Sequence, residues 1–182
     1  MSNLKNRSLY IPFILTAAVV LVDQVTKIAV AALVRPYTVG FSLFGDFFRI
    51  IHVYNPGIAF SIGGDLPQTI RSFVFGLLPL AGIAFVLALY FRTNTFTRLQ
   101  RWCIAGIVGG GIGNLIDRFF RPEGVLDFLD VKFYGLFGLE RWPTFNVADS
   151  AIVVCGIIMV IAVFLQTRSE SQSAGSASGT EA

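Results

Sequence analysis

Charge, histidine and cysteine are all scarce in this chain, and each scarcity excludes something. Only 14% of the residues are charged, against about 25% in an ordinary soluble domain, so the polar groups that clothe a water-facing surface are missing. One histidine, His52, cannot build a multi-histidine metal centre. The two cysteines, Cys103 and Cys155, both lie inside apolar runs, which leaves neither a disulfide framework nor a zinc site. A formal charge of +3, scattered along the sequence, gives no footing for nucleic acid. No metal, cofactor or nucleic-acid partner is expected.

What is abundant is apolar. With 54% hydrophobic residues and a mean hydropathy of +0.71, the composition points to a membrane. A chain of 182 residues suits one compact bundle: a single integral-membrane domain over 1–166, then a Ser-, Gly- and Ala-rich tail over 167–182 expected to be disordered. Four segments, about 11–34, 69–91, 102–119 and 146–165, each approach the ~20 residues that cross a hydrocarbon core. The first is too long for a signal-peptide core and carries Asp23 and Lys27, so it is expected to be retained. Pro79, in the middle of the second, is expected to kink it. Lys5 and Arg7 before the first segment, Arg92, Arg98 and Arg101 between the second and third, and Arg168 after the fourth assign those ends to the cytoplasm. Both termini are then inside, and two aromatic-rich connections, 35–68 and 120–145, lie outside.

In the first outer connection Tyr37, Val39, Phe41 and Leu43 alternate, and 48–54 is rich in aromatic and β-branched residues. Asn55-Pro56-Gly57 then turns the chain into 58–62. The pattern predicts two or three short strands forming a small sheet at the membrane surface. The second connection, with Pro122, Gly124, Gly135, Gly138 and Pro143 among hydrophobics, reads as an interfacial loop or a short helix. The fold class is therefore an all-α membrane protein with a small β element: a four-helix bundle capped on its outer side.

Carboxylates interrupt this apolar background, and an ionisable group at membrane depth is costly enough to need a use or a partner. Asp23 lies roughly 18 Å along the first helix, in its outer half. Asp117 closes the third segment and Asp149 opens the fourth, so topology gathers all three at the outer leaflet. Asp23 and Lys27 stand one turn apart and can pair, either snorkelling to the interface or supporting a polar site. Gly106, Gly109, Gly110, Gly111 and Gly113 give the small-xxx-small spacing of close helix packing, which draws Asn114, Asp117 and Arg118 against neighbouring helices. Asp117 and Arg118 alone would also serve as an interfacial anchor. Asn146 and Asp149 have the spacing of an N-cap and its N3 position. Asp127 and Asp130 sit in a strongly apolar surface stretch, and His52 reads as a strand residue without a catalytic role.

Two carboxylates facing each other would define the chemistry. Like charges at close range cannot both ionise, so one holds a proton at neutral pH. The ionised member takes a proton from water as that water attacks a peptide carbonyl, and the protonated member donates to the carbonyl oxygen. Spacing leaves the pair open among Asp117, Asp127, Asp130 and Asp149.

The residues resemble a known family, the lipoprotein signal peptidases or signal peptidase II. Five blocks carry the resemblance in order: Asp23-Gln24-Val25-Thr26-Lys27, Asn55-Pro56-Gly57-Ile58-Ala59-Phe60, Gly113-Asn114-Leu115-Ile116-Asp117-Arg118, Val125-Leu126-Asp127-Phe128 and Phe145-Asn146-Val147-Ala148-Asp149-Ser150. The resemblance implies an aspartic intramembrane endopeptidase of the bacterial inner membrane, with Asp127 and Asp149 as the dyad facing the periplasmic leaflet. Asp23, Lys27, Asn55, Gly57, Asn114, Asp117, Arg118 and Asn146 would support the dyad and the substrate backbone. The implied substrates are prolipoproteins carrying diacylglycerol on a cysteine, cut just before that cysteine by a monomer in contact with membrane lipids. A small β-cradle and a periplasmic helix are implied over the bundle. Two departures bear on substrate fit: Pro56 and Ile58 in the asparagine block, and a long aromatic stretch over 133–144.

Two other classes fit the carboxylates less well. In a proton-coupled transporter Asp23, Asp117 and Asp149 would form a relay, but the second helix offers no polar group in the inner leaflet. A chaperone for lipidated precursors would have no need of both Asp127 and Asp149.

Overall fold

The computed structural model describes residues 9–57, 67, 70 and 73–178. In chain order come helix α1 (Phe13–Leu33) and strands β1 (Val39–Leu43) and β2 (Phe48–Asn55), followed by a π-helical turn (Phe73–Leu77) running directly into helix α2 (Leu78–Arg92). Helix α3 (Arg98–Phe120), strand β3 (Val125–Val131), a 3-10 turn (Leu136–Gly138) and helix α4 (Val147–Ser178) complete it. By length and hydropathy α1, α3 and the Val147–Ser169 part of α4 can cross a membrane, while α2 is a shorter apolar helix.

The core sits around α3, which packs against α1, α2 and α4. Its glycines make that position possible. A Cβ on Gly109 would press on the backbone of Thr16 in α1, and one on Gly110 would run into the carbonyl oxygen of Ala148 in α4. Gly113 lies between the Asp23 carboxylate and Ala148. The stripe thus serves two neighbours at once and draws Asp23 and the start of α4 together. The hydroxyl of Thr16 adds an interhelical hydrogen bond to the Ala105 carbonyl at 2.7 Å. The outward faces of α1 and α4 expose Ile14, Leu21, Ile28, Val160 and Phe164, side chains suited to lipid.

Several boundaries depart from the sequence expectation. The third helix starts at Arg98 rather than 102, because Thr97 and Gln100 form a reciprocal capping box. Pro79 stands at the beginning of α2, just after the π-helical turn, so the expected kink takes the form of a change in helical winding. Helix α4 continues to Ser178, into the tail expected to be disordered from Thr167. No proline interrupts that segment, so the hydrogen-bond ladder of α4 can run on through it.

The sheet is three-stranded and antiparallel in the order β1-β2-β3, with Phe41 opposite Ile50, Arg49 opposite Asp130 and Val53 opposite Asp127. Two of its strands match the reading of the first outer connection. The third comes from the second connection, read there as a loop or short helix, whereas 58–62 lies outside the described residues. The physical reason is burial: Val125, Leu126, Asp127 and Phe128 are all buried. A strand covered on both faces has no apolar–polar alternation to betray it. Among the described residues, the 3-10 turn Leu136–Gly138 is the only helix in the outer connections.

Candidate active site

Four elements converge on one cavity of about 810 Å³. Strand β3 delivers Asp127, the first turn of α4 delivers Asp149, α3 delivers Asn114 and Arg118, and the end of β2 delivers Asn55, all lining the cavity. Its remaining wall includes Pro79, Ile152 and Val153 from helices and Phe133, Trp142 and Phe145 from the segment between β3 and α4.

Asparagines hold the two carboxylates. Asn146 closes a cap with Asp149: its Oδ1 accepts the Asp149 N–H at 2.9 Å, and its own N–H donates to Asp149 Oδ2 at 3.2 Å. The capping role read from the spacing is present, and the same side chain has a second use. Its Nδ2 donates to Asp127 Oδ1 at 2.7 Å and to Asn114 Oδ1 at 3.1 Å. Asn114 in turn donates to Asp149 Oδ1 at 2.7 Å, and Asn55 donates to Asp127 Oδ2 at 3.1 Å. Each of the four carboxylate oxygens therefore accepts an N–H, and Asn146 joins the two aspartates. Gly57 contributes through its N–H, which donates to Asn55 Oδ1 at 3.0 Å and fixes that side chain in a turn.

Beneath this layer lies a buried ion cluster. Lys27 is fully buried and meets Asp23 Oδ2 and Asp117 Oδ2, each at 2.9 Å, and Asn114 Oδ1 at 3.1 Å. The Asp23–Lys27 pair therefore does not snorkel. The other oxygen of Asp23 accepts the Ala148 N–H at 2.9 Å, and Asp117 Oδ2 accepts the Leu126 N–H at 3.0 Å. Each cluster carboxylate thus grips the backbone immediately before a cavity aspartate, Ala148 before Asp149 and Leu126 before Asp127. The Asp23 contact also satisfies a free N–H at the positive end of α4.

Burial, and after it the charge of Asp149, pushes the Asp127 carboxyl up to about 7 against the hydrogen bonds from Asn55 and Asn146. The pair thus keeps a proton near neutrality. Asp127 destabilises the fold when it ionises, and the sign follows from linkage. Its contribution to stability is fully present below the ordinary value of 3.8 and is lost as pH rises to about 7. Thermal melts should accordingly move in favour of Asp127→Asn over wild type across that window, by up to roughly 4 kcal/mol. A constant difference between the two proteins would mean that the carboxyl titrates normally.

Of the four carboxylates that spacing left open, two are used elsewhere. Asp117 is locked into the ion cluster, where Arg121 also reaches it at 3.0 Å. Asp130 turns away to Arg49 and Arg141 on the other side of the strand. Arg118 lines the cavity within electrostatic range of Asp149, Asp127 and Asp117. His52 stays structural, its Nδ1 at 2.8 Å from the Val34 carbonyl. Sequence reasoning passed over Gln24, which donates to Asp23 Oδ2, the Gly113 carbonyl and Asp117 Oδ1. A polar side chain inside an apolar helix was its available signal. It also passed over Arg121, whose i,i+4 spacing from Asp117 marked it. Among the described residues no group of three or more His, Cys, Asp or Glu side chains could hold a metal.

The family model for signal peptidase (SPase) II matches residues 15–165. The chain belongs to the signal peptidase II family. It is 52% identical to the lipoprotein signal peptidase of Treponema pallidum (strain Nichols), over 87% of this chain and 86% of that protein. It is 44% identical to the lipoprotein signal peptidase of Borrelia turicatae (strain 91E135), over 93% of this chain and 98% of that one. A solved bacterial membrane enzyme superposes with a TM-score of 0.73 at 26% identity, over 86% of this chain and 88% of that chain. The chain thus shares its overall fold with a solved membrane enzyme of modest sequence identity.

Proposed function

We propose that the chain is an aspartic intramembrane endopeptidase, with Asp127 and Asp149 as its dyad, that removes signal peptides from diacylglyceryl-modified prolipoproteins just before the lipidated cysteine. The observation that carries this reading is the pair itself: two carboxylates in one cavity, bridged by Asn146, with Asp127 held protonated up to about 7. The names of the relatives support the substrate class.

The ionised carboxylate takes a proton from a water in the cavity as that water attacks the scissile carbonyl carbon. The protonated partner donates to the carbonyl oxygen, giving a neutral tetrahedral intermediate. Its collapse returns a proton to the leaving amine and resets the pair. Because the carboxyls titrate together, the proton belongs to the pair. Arg118 offers a cation to substrate backbone carbonyls. Asn55, Asn114 and Asn146 hold the carboxyls, and Asp23, Lys27 and Asp117 hold the backbone beside them.

In this reading α2 and its π-helical turn make the second of four crossings, with both termini in the cytoplasm and the sheet on the periplasmic side of the inner membrane. The enzyme works as a monomer over 1–166. The diacylglycerol anchors the cysteine in the outer leaflet and so brings the scissile bond to the depth of the dyad. A pH–rate profile tests the dyad. Cleavage should fall on the alkaline side as the shared proton leaves near pH 7, and again in acid when the second carboxyl protonates. A rate that still climbs through pH 8 to 9 would point to a different general base.

A further inference from the structure

The segment between β3 and α4 is a strap with one face in the cavity. It leaves β3 at Val131, returns with the Trp142 N–H donating to the Val131 carbonyl at 2.9 Å, and pairs Phe145 with Leu129 before entering α4. Phe133, Trp142, Pro143 and Phe145 form an apolar wall of the cavity, and the Phe133 and Trp142 rings pack at 5.0 Å.

The opposite face of the strap is tied across the sheet. Arg141 Nε donates to both oxygens of Asp130 at 2.8 Å, its Nη2 donates to the Asp46 carbonyl at 2.9 Å, and Nη1 donates to Asp46 Oδ2 at 3.4 Å. Asp130 is buried and also takes Arg49 from β2. Lys132 adds a contact to Asp46 at 3.2 Å. Nothing in the hydrolytic scheme uses these five charges. What they hold is the residue next to Trp142.

Resting on the peptidase reading above, we propose that the Phe133–Trp142–Phe145 wall is the subsite for the residues that follow the lipidated cysteine, that it favours an apolar side chain there, and that Arg141 positions it through Asp130 and Asp46. Pro79, Gly111, Ile152 and Val153 line the cavity from the helices, and the strap lines it from the outer connection. In the proposal the helix-lined end and the strap-lined end lie on the two sides of the dyad. A signal peptide that spans the membrane fills the helical end with the residues before the scissile bond. The chain leaving on the carboxyl side then runs past the strap. An aromatic wall there rewards an apolar side chain and gains little from glycine.

The test uses full-length protein in lipid and two diacylglyceryl-modified precursors, identical through the cysteine. One continues with Leu-Phe, the other with Gly-Gly. Wild type should show a KM about tenfold lower for the Leu-Phe precursor, with similar kcat. Trp142→Ala should erase that difference by raising KM for the Leu-Phe precursor alone, and Arg141→Gln should do the same in part. Arg141→Lys, which keeps the charge but loses the two-oxygen grip on Asp130, should fall between Arg141→Gln and wild type. Equal losses on both precursors, or a fall in kcat alone, would make the strap merely structural and overturn the subsite. The same follows if wild type cleaves both equally and Trp142→Ala changes nothing, an outcome that leaves the peptidase reading intact. If wild type cleaves neither precursor, the peptidase reading and this subsite fall together.

Discussion

Asp127→Asn and Asp149→Asn should each reduce cleavage of a lipid-modified precursor by at least about 10³-fold, while the protein stays inserted and folded. The size follows from the proposed chemistry. One carboxyl must give a proton while the other receives one, and an amide does neither at neutral pH. The folded state survives because Asn fits the same volume. At each position one of the two partner N–H groups must then face an amide NH2, which costs a single hydrogen bond, about 1 kcal/mol. The double variant should be scarcely worse than either single one, since the pair acts as a unit. Turnover by single variants, checked against a matched circular dichroism spectrum and melting curve, decides the matter. Retained cleavage in either removes that residue from the dyad.

Lys27→Met should destabilise the protein by about 3–5 kcal/mol and strip most of its activity. Lys27 is fully buried with Asp23 and Asp117 at 2.9 Å, and removing it leaves two carboxylates facing each other in the helical core. Those carboxylates hold the Ala148 and Leu126 N–H groups, so their repulsion moves the backbone on which both cavity aspartates stand. The double variant Lys27→Met/Asp23→Asn removes one charge of each sign and should recover part of the lost stability, because an unpaired buried charge costs more than a missing pair. Melting temperatures of the two singles and the double, read as a double-mutant cycle, measure the coupling. Additive effects would mean that the cluster acts as separate contacts.

The helices were legible because their signals are local and long. Segments expected at 11–34, 102–119 and 146–165 correspond to α1, α3 and α4, with glycine spacing marking the helix that packs closely on its neighbours. The early start of α3 was also written in the chain, as Thr97 and Gln100 at capping-box spacing, but was overshadowed by the basic residues of that link. Strand β3 was not legible, because burial on both faces removes the alternation that marks a strand. That loss hid the chief functional consequence. Asp127 and Asp130 lie three apart, so a strand turns them to opposite faces, one to the cavity and one to Arg49 and Arg141. Without the strand the four outer carboxylates were equivalent, and choosing two needed the family resemblance. Asn146 shows a different limit. Its cap was readable from spacing, but its bond to Asp127 depends on how β3 and α4 approach, which no local pattern encodes.

Purified protein in lipid, incubated with a diacylglyceryl-modified precursor and with its unlipidated twin, gives the most direct measurement. Products are read by mass, and Asp149→Asn serves as the control. Lipid-dependent aspartic catalysis predicts cleavage immediately before the lipidated cysteine, absent from both the twin and the control. Binding of the lipidated precursor without cleavage by well-folded wild type, or equal cleavage by Asp149→Asn, would contradict it.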